Sequence, residues 1–130
     1  MPKIALFYAS LHALLMLALA FRIVSHRRAA KIGIGDGGDY RLLRKIRAHA
    51  NFIEYVPVAL ILLALLELSG LPALWLWIFG GALLIARLLH AFGLSRKSGY
   101  SPGRFIGTVL TWSVIAAMAG VGVVMGLGAI

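Results

Sequence analysis

The sequence predicts an all-α membrane protein, a bundle of four transmembrane helices that forms a single domain. Hydrophobic residues make up 62% of the chain and charged residues only 13%, a composition that a soluble domain of this size does not tolerate. Four apolar runs follow one another, and each has the roughly 20 residues that a span of the hydrocarbon core requires. With a length of 130 residues, the chain has no room for a separate soluble domain.

The four predicted spans follow these apolar runs in order. They cover residues 4–24, 48–68, 74–93 and 105–127. Ser69-Gly70-Leu71-Pro72 joins the second and third spans, and its Gly and Pro predict a tight antiparallel hairpin. The first run, which ends in Ala18-Leu19-Ala20, resembles a cleaved signal peptide. The basic block that follows it, from Arg22 to Lys31, instead favours a retained first helix.

Basic residues are concentrated in the first and third loops and at the helix ends beside them. The formal net charge is +9, and all but one of the 13 Lys and Arg residues lie between Arg22 and Arg104. The positive-inside rule predicts that these loops face the cytoplasm from a bacterial inner membrane, with both termini outside. Membrane lipids account for this charge, so we expect no nucleic-acid partner. The loop residues are His26, Arg27, Arg28, Lys31, Arg41, Arg44, Lys45, Arg96 and Lys97.

Two glycine motifs carry little functional information. The segment Gly33-Ile34-Gly35-Asp36-Gly37-Gly38 matches the dinucleotide-binding string G-x-G-x-x-G, but a membrane helix precedes it where that motif needs a strand. We therefore expect a flexible turn. Gly122 and Gly126 form a G-x-x-x-G motif, which permits close helix contact within one protomer or between protomers.

Charged and polar residues interrupt two of the spans. Arg47, Asn51 and Glu54 are spaced as one stripe of a helix. Glu54 lies about 10 Å deeper than Arg47, so its carboxylate must face protein, water or a ligand. Arg87 and His90 share a face of the third span, and Arg87 lies at about the depth of Glu54. A direct Glu54–Arg87 pair is geometrically reasonable and would neutralise both charges.

Guanidinium groups outnumber acids near this level, and this surplus predicts a ligand. The arginines are Arg22, Arg47, Arg87 and Arg104, and the acid is Glu54. Arginine binds carboxylates and phosphates in bidentate fashion, which indicates an anionic ligand in a half-buried pocket. Lipid headgroups fit this description, as does a small polycarboxylate whose ammonium group Glu54 would bind. The alternative is that these residues only hold the bundle together.

The remaining polar residues are assigned structural roles. Glu67 is predicted to be a solvated helix end at the outer surface. His12, among leucines in the first span, is predicted to be packed and hydrogen-bonded. His26 is predicted to be a solvated loop residue. We expect no metal site, because the histidines lack a recognised ligand spacing. The chain has no cysteine, so any reactive thiol must come from a bound small molecule.

Residues 47–57 have the sequence R-A-H-A-N-F-I-E-Y-V-P. This segment resembles the R-x-x-x-N-x-x-E signature of the MAPEG family, the membrane-associated proteins in eicosanoid and glutathione metabolism. Arg87-Leu88-Leu89-His90 and Ser101-Pro102-Gly103-Arg104 extend the resemblance over the chain. The Gly-Asp-Gly-Gly loop is most similar to the small bacterial branch of the family. The resemblance implies a four-helix bundle that assembles as a homotrimer. It also implies that glutathione, as a co-substrate, binds near the cytosolic face between protomers.

The resemblance further implies individual roles. Arg104 matches the arginine that activates the thiolate and is the predicted catalytic residue. In the first span, Arg22 and Arg27 both lie near the place of a glutathione-contacting arginine, and the choice stays open. Leu94 and Ala50 replace a tyrosine and an arginine that some members have, which removes two polar contacts. The other predicted glutathione-binding residues are Arg47, Asn51, Glu54, Tyr55, Arg87 and His90.

The function implied by the resemblance is that of a glutathione transferase or glutathione-dependent peroxidase acting on lipophilic electrophiles. The alternatives are a non-enzymatic protein that binds anionic lipid or another small anion, or a small transporter. A cation transporter needs a lone acid near the midplane with few basic neighbours, whereas Glu54 is off-centre among arginines. A lipid-binding scaffold stays open, because interfacial arginines serve both purposes.

Overall fold

The computed structural model describes residues 1–96 and 101–128, and it confirms the all-α four-helix bundle. The helices are α1 (Lys3–Ala30), α2 (Tyr40–Leu68), α3 (Ala73–Arg96) and α4 (Pro102–Gly126). Each is long and apolar enough to cross a membrane. Helices α2 and α3 each pack against all three other helices, whereas α1 and α4 do not pack against each other within the described residues. Lys97 lies outside the described residues, as do the side chains of Leu94 and Arg96.

All four helices extend beyond their predicted spans at the basic end of the bundle, where α1 and α3 end and α2 and α4 begin, and α1 and α2 extend the furthest. Helix α1 continues to Ala30 and α2 already begins at Tyr40. Asp39 caps α2 by accepting the N–H groups of Arg41 and Leu42 at 2.7 and 3.2 Å. Lys31 ends α1 in a left-handed conformation, with φ of 56°. Hydropathy marks where a membrane ends, while such caps determine where a helix ends.

The connection between α1 and α2 is a glycine turn, which agrees with the interpretation of its sequence. Gly35, Gly37 and Gly38 all have positive φ, and Asp36 accepts the N–H of Gly38 at 2.9 Å. The prediction for His26 was wrong, because it lies within α1 and is only partly exposed. Its two ring nitrogens contact side chains from the start of the next helix.

The predicted α2–α3 hairpin is present, and backbone bonds explain its tight turn. The N–H of Gly70 bonds to the carbonyl of Glu67 at 3.2 Å, and the N–H of Leu71 bonds to that of Leu66 at 3.0 Å. This pair of bonds is the Schellman ending of a helix, which requires a left-handed residue, and Gly70 supplies it with φ of 88°.

Glu67 was predicted to be a solvated helix end, and this was wrong. Its carboxylate accepts the backbone N–H groups of Ile4 and Ala5 at 2.9 and 2.7 Å. These are unsatisfied donors in the first turn of α1, where the helix dipole also favours a negative charge. Glu67 therefore caps a helix 62 residues away in sequence and fastens α1 to the α2–α3 hairpin.

Most of the apolar core lies in the half of the bundle opposite the basic end. Its fully buried residues come from α2, α3 and α4, and include Leu63, Leu83 and Met118. His12 is buried and bonds through Nδ1 to the carbonyl of Tyr8 at 2.7 Å, which confirms the packed histidine. Large apolar side chains also cover the outer faces of the helices, as expected for contact with lipid. They include Leu14, Leu17, Ile61, Ile85, Trp112 and Val123.

Helices α3 and α4 cross closely because glycines lie at their contact. A β-carbon on Gly107 would lie 2.6 Å from the carbonyl oxygen of Ala86 and 2.7 Å from the backbone nitrogen of His90. A β-carbon on Gly93 would likewise collide with the backbone of Gly103 and Arg104. Only glycine permits this approach, which holds the start of α4 against the last turns of α3.

We predict that Gly107→Ala destabilises the protein by about 1–3 kcal/mol, because the added methyl group meets rigid backbone. Gly120→Ala is the matched control in the same helix, since nothing lies within 4 Å of a β-carbon there. Thermal unfolding in detergent, followed by tryptophan fluorescence, measures both variants. Equal melting temperatures for the two variants would contradict the close α3–α4 contact.

Candidate functional site

A polar stripe runs along α2 at the basic end. Tyr40, Arg44, Arg47 and Asn51 are spaced by four, three and four residues, so they lie on one face of the helix. They form one wall of an open cavity of about 450 Å³, whose other walls come from α3 and α4. No carboxylate lines this cavity within the described part of the chain. The lining residues are Tyr40, Leu43, Arg44, Arg47, Asn51, His90, Arg104 and Thr108.

Arg104 and His90 reach the cavity from the α3–α4 crossing. Pro102 occupies the first turn of α4, where its missing N–H and fixed φ suit the start of a helix, and Arg104 follows two residues later. Gly107 lies against the backbone of His90 and Gly93 lies against the backbone of Arg104, so both His90 and Arg104 belong to this close crossing. The cavity therefore has a guanidinium and an imidazole on a rigid crossing of two helices.

His90 lines this cavity and also has an unpaired buried nitrogen. The residue is 4% exposed, and its Nδ1 has no hydrogen-bond partner. Buried polar atoms almost always have a partner, and those without one call for an explanation. His90 lines the cavity as a residue, but its Nδ1 is shielded from it, so a ligand in the cavity would reach this nitrogen only if the surrounding side chains moved.

Arg87 lies below the cavity and is almost fully buried, with 2% exposure. Its Nη2 donates to Asn51 Oδ1 at 2.7 Å, its Nη1 donates to Thr111 Oγ1 at 3.4 Å, and its guanidinium lies 5.8 Å from the ring centre of Phe52. The predicted Glu54–Arg87 pair is therefore wrong. The partners of Arg87 are a neutral amide, a hydroxyl and an aromatic face, which keep the full positive charge inside the bundle.

Glu54 instead contacts Arg47 on the outer surface of α2. Their nearest side-chain atoms are 4.0 Å apart, and the side chains are 50% and 59% exposed. An ion pair with this distance and this exposure contributes little to the stability of the fold by itself. Arg47 lines the cavity, so the Glu54 carboxylate lies 4.0 Å from one of the lining guanidinium groups without lining the cavity itself. In a bilayer, an exposed Glu54 requires water, a ligand or another chain next to it.

The structure separates the two candidate arginines of α1. Arg27 donates to the carbonyl of Gly35 at 3.1 Å and so holds the α1–α2 turn. Arg22 lines a second basic pocket together with Arg44, which also lines the main cavity. Tyr55 does not line the cavity but packs near Trp112, with ring centres 6.3 Å apart. Of the predicted residues, the cavity brings together Arg47, Asn51, His90 and Arg104.

Four lining residues were not predicted from the sequence, and three of them were missed because the second span was predicted to begin at residue 48. Tyr40, Leu43 and Arg44 precede that point and were assigned to a loop. The i, i+4, i+7, i+11 spacing of Tyr40, Arg44, Arg47 and Asn51 would have joined two of them to the stripe. Thr108, one turn after Arg104, carried no charge that would have distinguished it.

The fold and this cavity together define a polytopic four-helix membrane protein with an arginine-lined cavity at one end. The family model of the MAPEG family matches residues 5–124, and the chain belongs to that family. The sequence is 37% identical over 100 residues to the inner membrane protein YecN of Escherichia coli K12, which covers 72% of this chain and 76% of the relative. The protein of the same name from Escherichia coli O6:H1 matches to the same extent.

We predict that Asn51→Ala destabilises the protein by about 1–3 kcal/mol, because it leaves a buried donor of Arg87 without its acceptor. Asn51→Asp is the control, since it retains an acceptor at the same place and adds a charge opposite to that of Arg87. Unfolding in detergent with increasing denaturant compares the variants. An unchanged midpoint for Asn51→Ala would show that Asn51 does not hold Arg87.

Proposed function

We propose that the protein binds glutathione in the arginine-lined cavity and presents it as a thiolate to lipophilic electrophiles. The observation that carries this proposal is a half-buried cavity with Arg44, Arg47 and Arg104 in its walls and no lining carboxylate among the described residues. Such a cavity favours a ligand with more than one negative group. Membership of the MAPEG family makes glutathione the leading candidate.

The groups of glutathione match the charges around the cavity. Its two carboxylates are acceptors for the guanidinium groups of Arg44 and Arg47, and its ammonium group is a donor for Glu54, which lies next to Arg47. The His90 side chain contributes to the wall of the same cavity. Arg87 contributes by fixing Asn51, which lines the same wall.

Arg104 is the residue that we assign to the chemistry. A free thiol has a pKa of about 8.5, and an adjacent guanidinium favours the thiolate, which is the nucleophile. In conjugation, the thiolate sulfur forms a bond to carbon, and either a leaving group departs with its electrons or the adduct takes a proton. In peroxide reduction, two glutathione molecules supply two electrons and become the disulfide, while the hydroperoxide becomes alcohol and water.

The membrane supplies the second substrate in this proposal. The outer faces of the helices are apolar, so a lipophilic electrophile dissolved in the bilayer can approach from the side. The name of the YecN relative and the four apolar helices support a bacterial inner membrane as the location. The basic end then faces the cytoplasm, both termini face outward, and a homotrimer would cover the exposed Glu54.

We predict that glutathione binds to the detergent-purified protein and that Arg47→Ala and Glu54→Gln each weaken binding roughly tenfold or more, since each removes a charge-assisted contact. Isothermal titration calorimetry measures the affinities. Arg28→Ala is the control, because Arg28 is exposed at the same end but does not line the cavity. No binding at about 10 mM glutathione, a free energy weaker than about 3 kcal/mol, would contradict the proposal.

We predict that Arg104→Ala leaves glutathione bound but abolishes thiolate formation at neutral pH. The ultraviolet absorbance of the thiolate, recorded during titration with glutathione, reports this step without any second substrate. Arg104→Lys retains the charge without the planar fork and should recover part of the signal. A thiolate signal equal to that of the unaltered protein would remove Arg104 from the mechanism.

A further inference from the structure

A second basic pocket lies between the end of α1 and the start of α2. Its volume is about 450 Å³, and it is distinct from the arginine-lined cavity, with which it shares only Arg44. We call it the α1–α2 pocket. Its lining residues are Arg22, His26, Arg41, Arg44 and Lys45.

Asp39 is an acidic side chain that contacts a lining residue of this pocket, and its carboxylate is already engaged. Asp39 Oδ2 is 2.7 Å from His26 Nε2, and Asp39 Oδ1 accepts the N–H groups of Arg41 and Leu42. The hydrogen bond to His26, together with that from the Arg41 N–H, lowers the pKa of Asp39, so it is ionised at neutral pH. This carboxylate caps α2 and is not a lining group of the pocket.

His26 orients one of the pocket's cations. Lys45 Nζ lies 2.9 Å from His26 Nδ1, and because an ammonium group can only donate, Nδ1 is the acceptor. The ring proton is therefore on Nε2, which donates a hydrogen bond to Asp39 Oδ2. The chain Lys45–His26–Asp39 therefore links α2, α1 and the helix cap. It holds the Lys45 ammonium in place without neutralising its charge.

The position of the pocket along the helices matches a membrane interface. Arg22 lies at the end of the apolar run of α1, while Arg41, Arg44 and Lys45 lie within two turns before the apolar run of α2. This is the level at which phospholipid phosphates meet a helix bundle. Basic pockets between helices at that level bind the headgroups of anionic lipids.

We propose that the α1–α2 pocket is a binding site for the phosphate of an anionic phospholipid headgroup, separate from the glutathione cavity. Arginine forks give phosphate a bidentate partner, and the oriented Lys45 adds a point charge. Because Arg44 lines both sites, an occupied headgroup site neutralises part of the charge that borders the glutathione cavity. This site does not depend on whether glutathione is the ligand of that cavity.

The test is native mass spectrometry of the detergent-purified protein with cardiolipin or phosphatidylglycerol, and with phosphatidylcholine as the neutral lipid. The double variant Arg41→Gln, Lys45→Gln should lose the preference for anionic lipid, with affinity reduced on the order of tenfold or more. Arg28→Gln, Lys31→Gln is the matched control, because it removes the same charge at the same end of the bundle but outside this pocket. It should bind anionic lipid as the unaltered protein does.

Further variants and ligands distinguish the alternative explanations of a change in lipid binding. Arg41→Gln alone leaves the His26–Lys45 contact intact, so a loss of lipid preference in this variant cannot come from unfolding of that contact. Titration with pyrophosphate tests whether the pocket instead binds a soluble phosphate. The lipid assignment would be overturned if the unaltered protein bound pyrophosphate tightly, both pocket variants abolished that binding, and the unaltered protein showed no preference for anionic lipid. Equal losses in the pocket and control double variants would show a general surface-charge effect and overturn the site. A glutathione titration of the same pocket variants tests the proposed function independently, so a failure of the lipid site can be told apart from a failure of glutathione binding.

Discussion

The burial of Arg87 is the constraint on which the basic half of the molecule depends. A guanidinium in an apolar bundle needs hydrogen-bond partners, and the two terminal nitrogens of Arg87 find them in Asn51 of α2 and Thr111 of α4. One side chain of α3 thereby ties together three helices at a single level. Its charge is not cancelled by a contacting carboxylate, so it continues to favour anions in the cavity above it.

The two ends of the bundle are built for different purposes. Away from the basic end, interlocked apolar side chains and the Glu67 cap hold α1 on the α2–α3 hairpin. Toward the basic end, the glycines at positions 93, 103 and 107 bring α3 and α4 into backbone contact, and the cavity opens beside that contact. Residues on such a rigid crossing are held in place before a ligand arrives, which lowers the entropy that binding would otherwise cost. Arg104 and His90 are the cavity residues that lie on this crossing.

Much of this fold follows from the sequence, while the site follows only in part. Hydropathy located all four helices, and Gly70 located the hairpin, because both depend on local chemistry. Residue spacing placed Arg47, Asn51 and Glu54 on one helix, but it cannot say how far each turns toward a neighbouring helix. Asn51 faces inward to Arg87 while Glu54 lies outside, and the predicted ion pair failed for that reason. Glu67 caps a helix that is distant in sequence, which no local pattern indicates. The Asp39 cap is local, and Tyr40 and Arg44 were overlooked because hydropathy alone set the predicted start of α2.

The most direct test of the central claim is a cryo-electron microscopy structure of the protein in lipid nanodiscs with saturating glutathione. We expect density in the cavity between α2, α3 and α4, with carboxylates at Arg44 and Arg47 and sulfur next to the guanidinium of Arg104. Glutathione density elsewhere, or an empty cavity at saturating glutathione, would contradict it. In that case the arginine-lined cavity would serve another anion, and Arg104 would lose its assigned role.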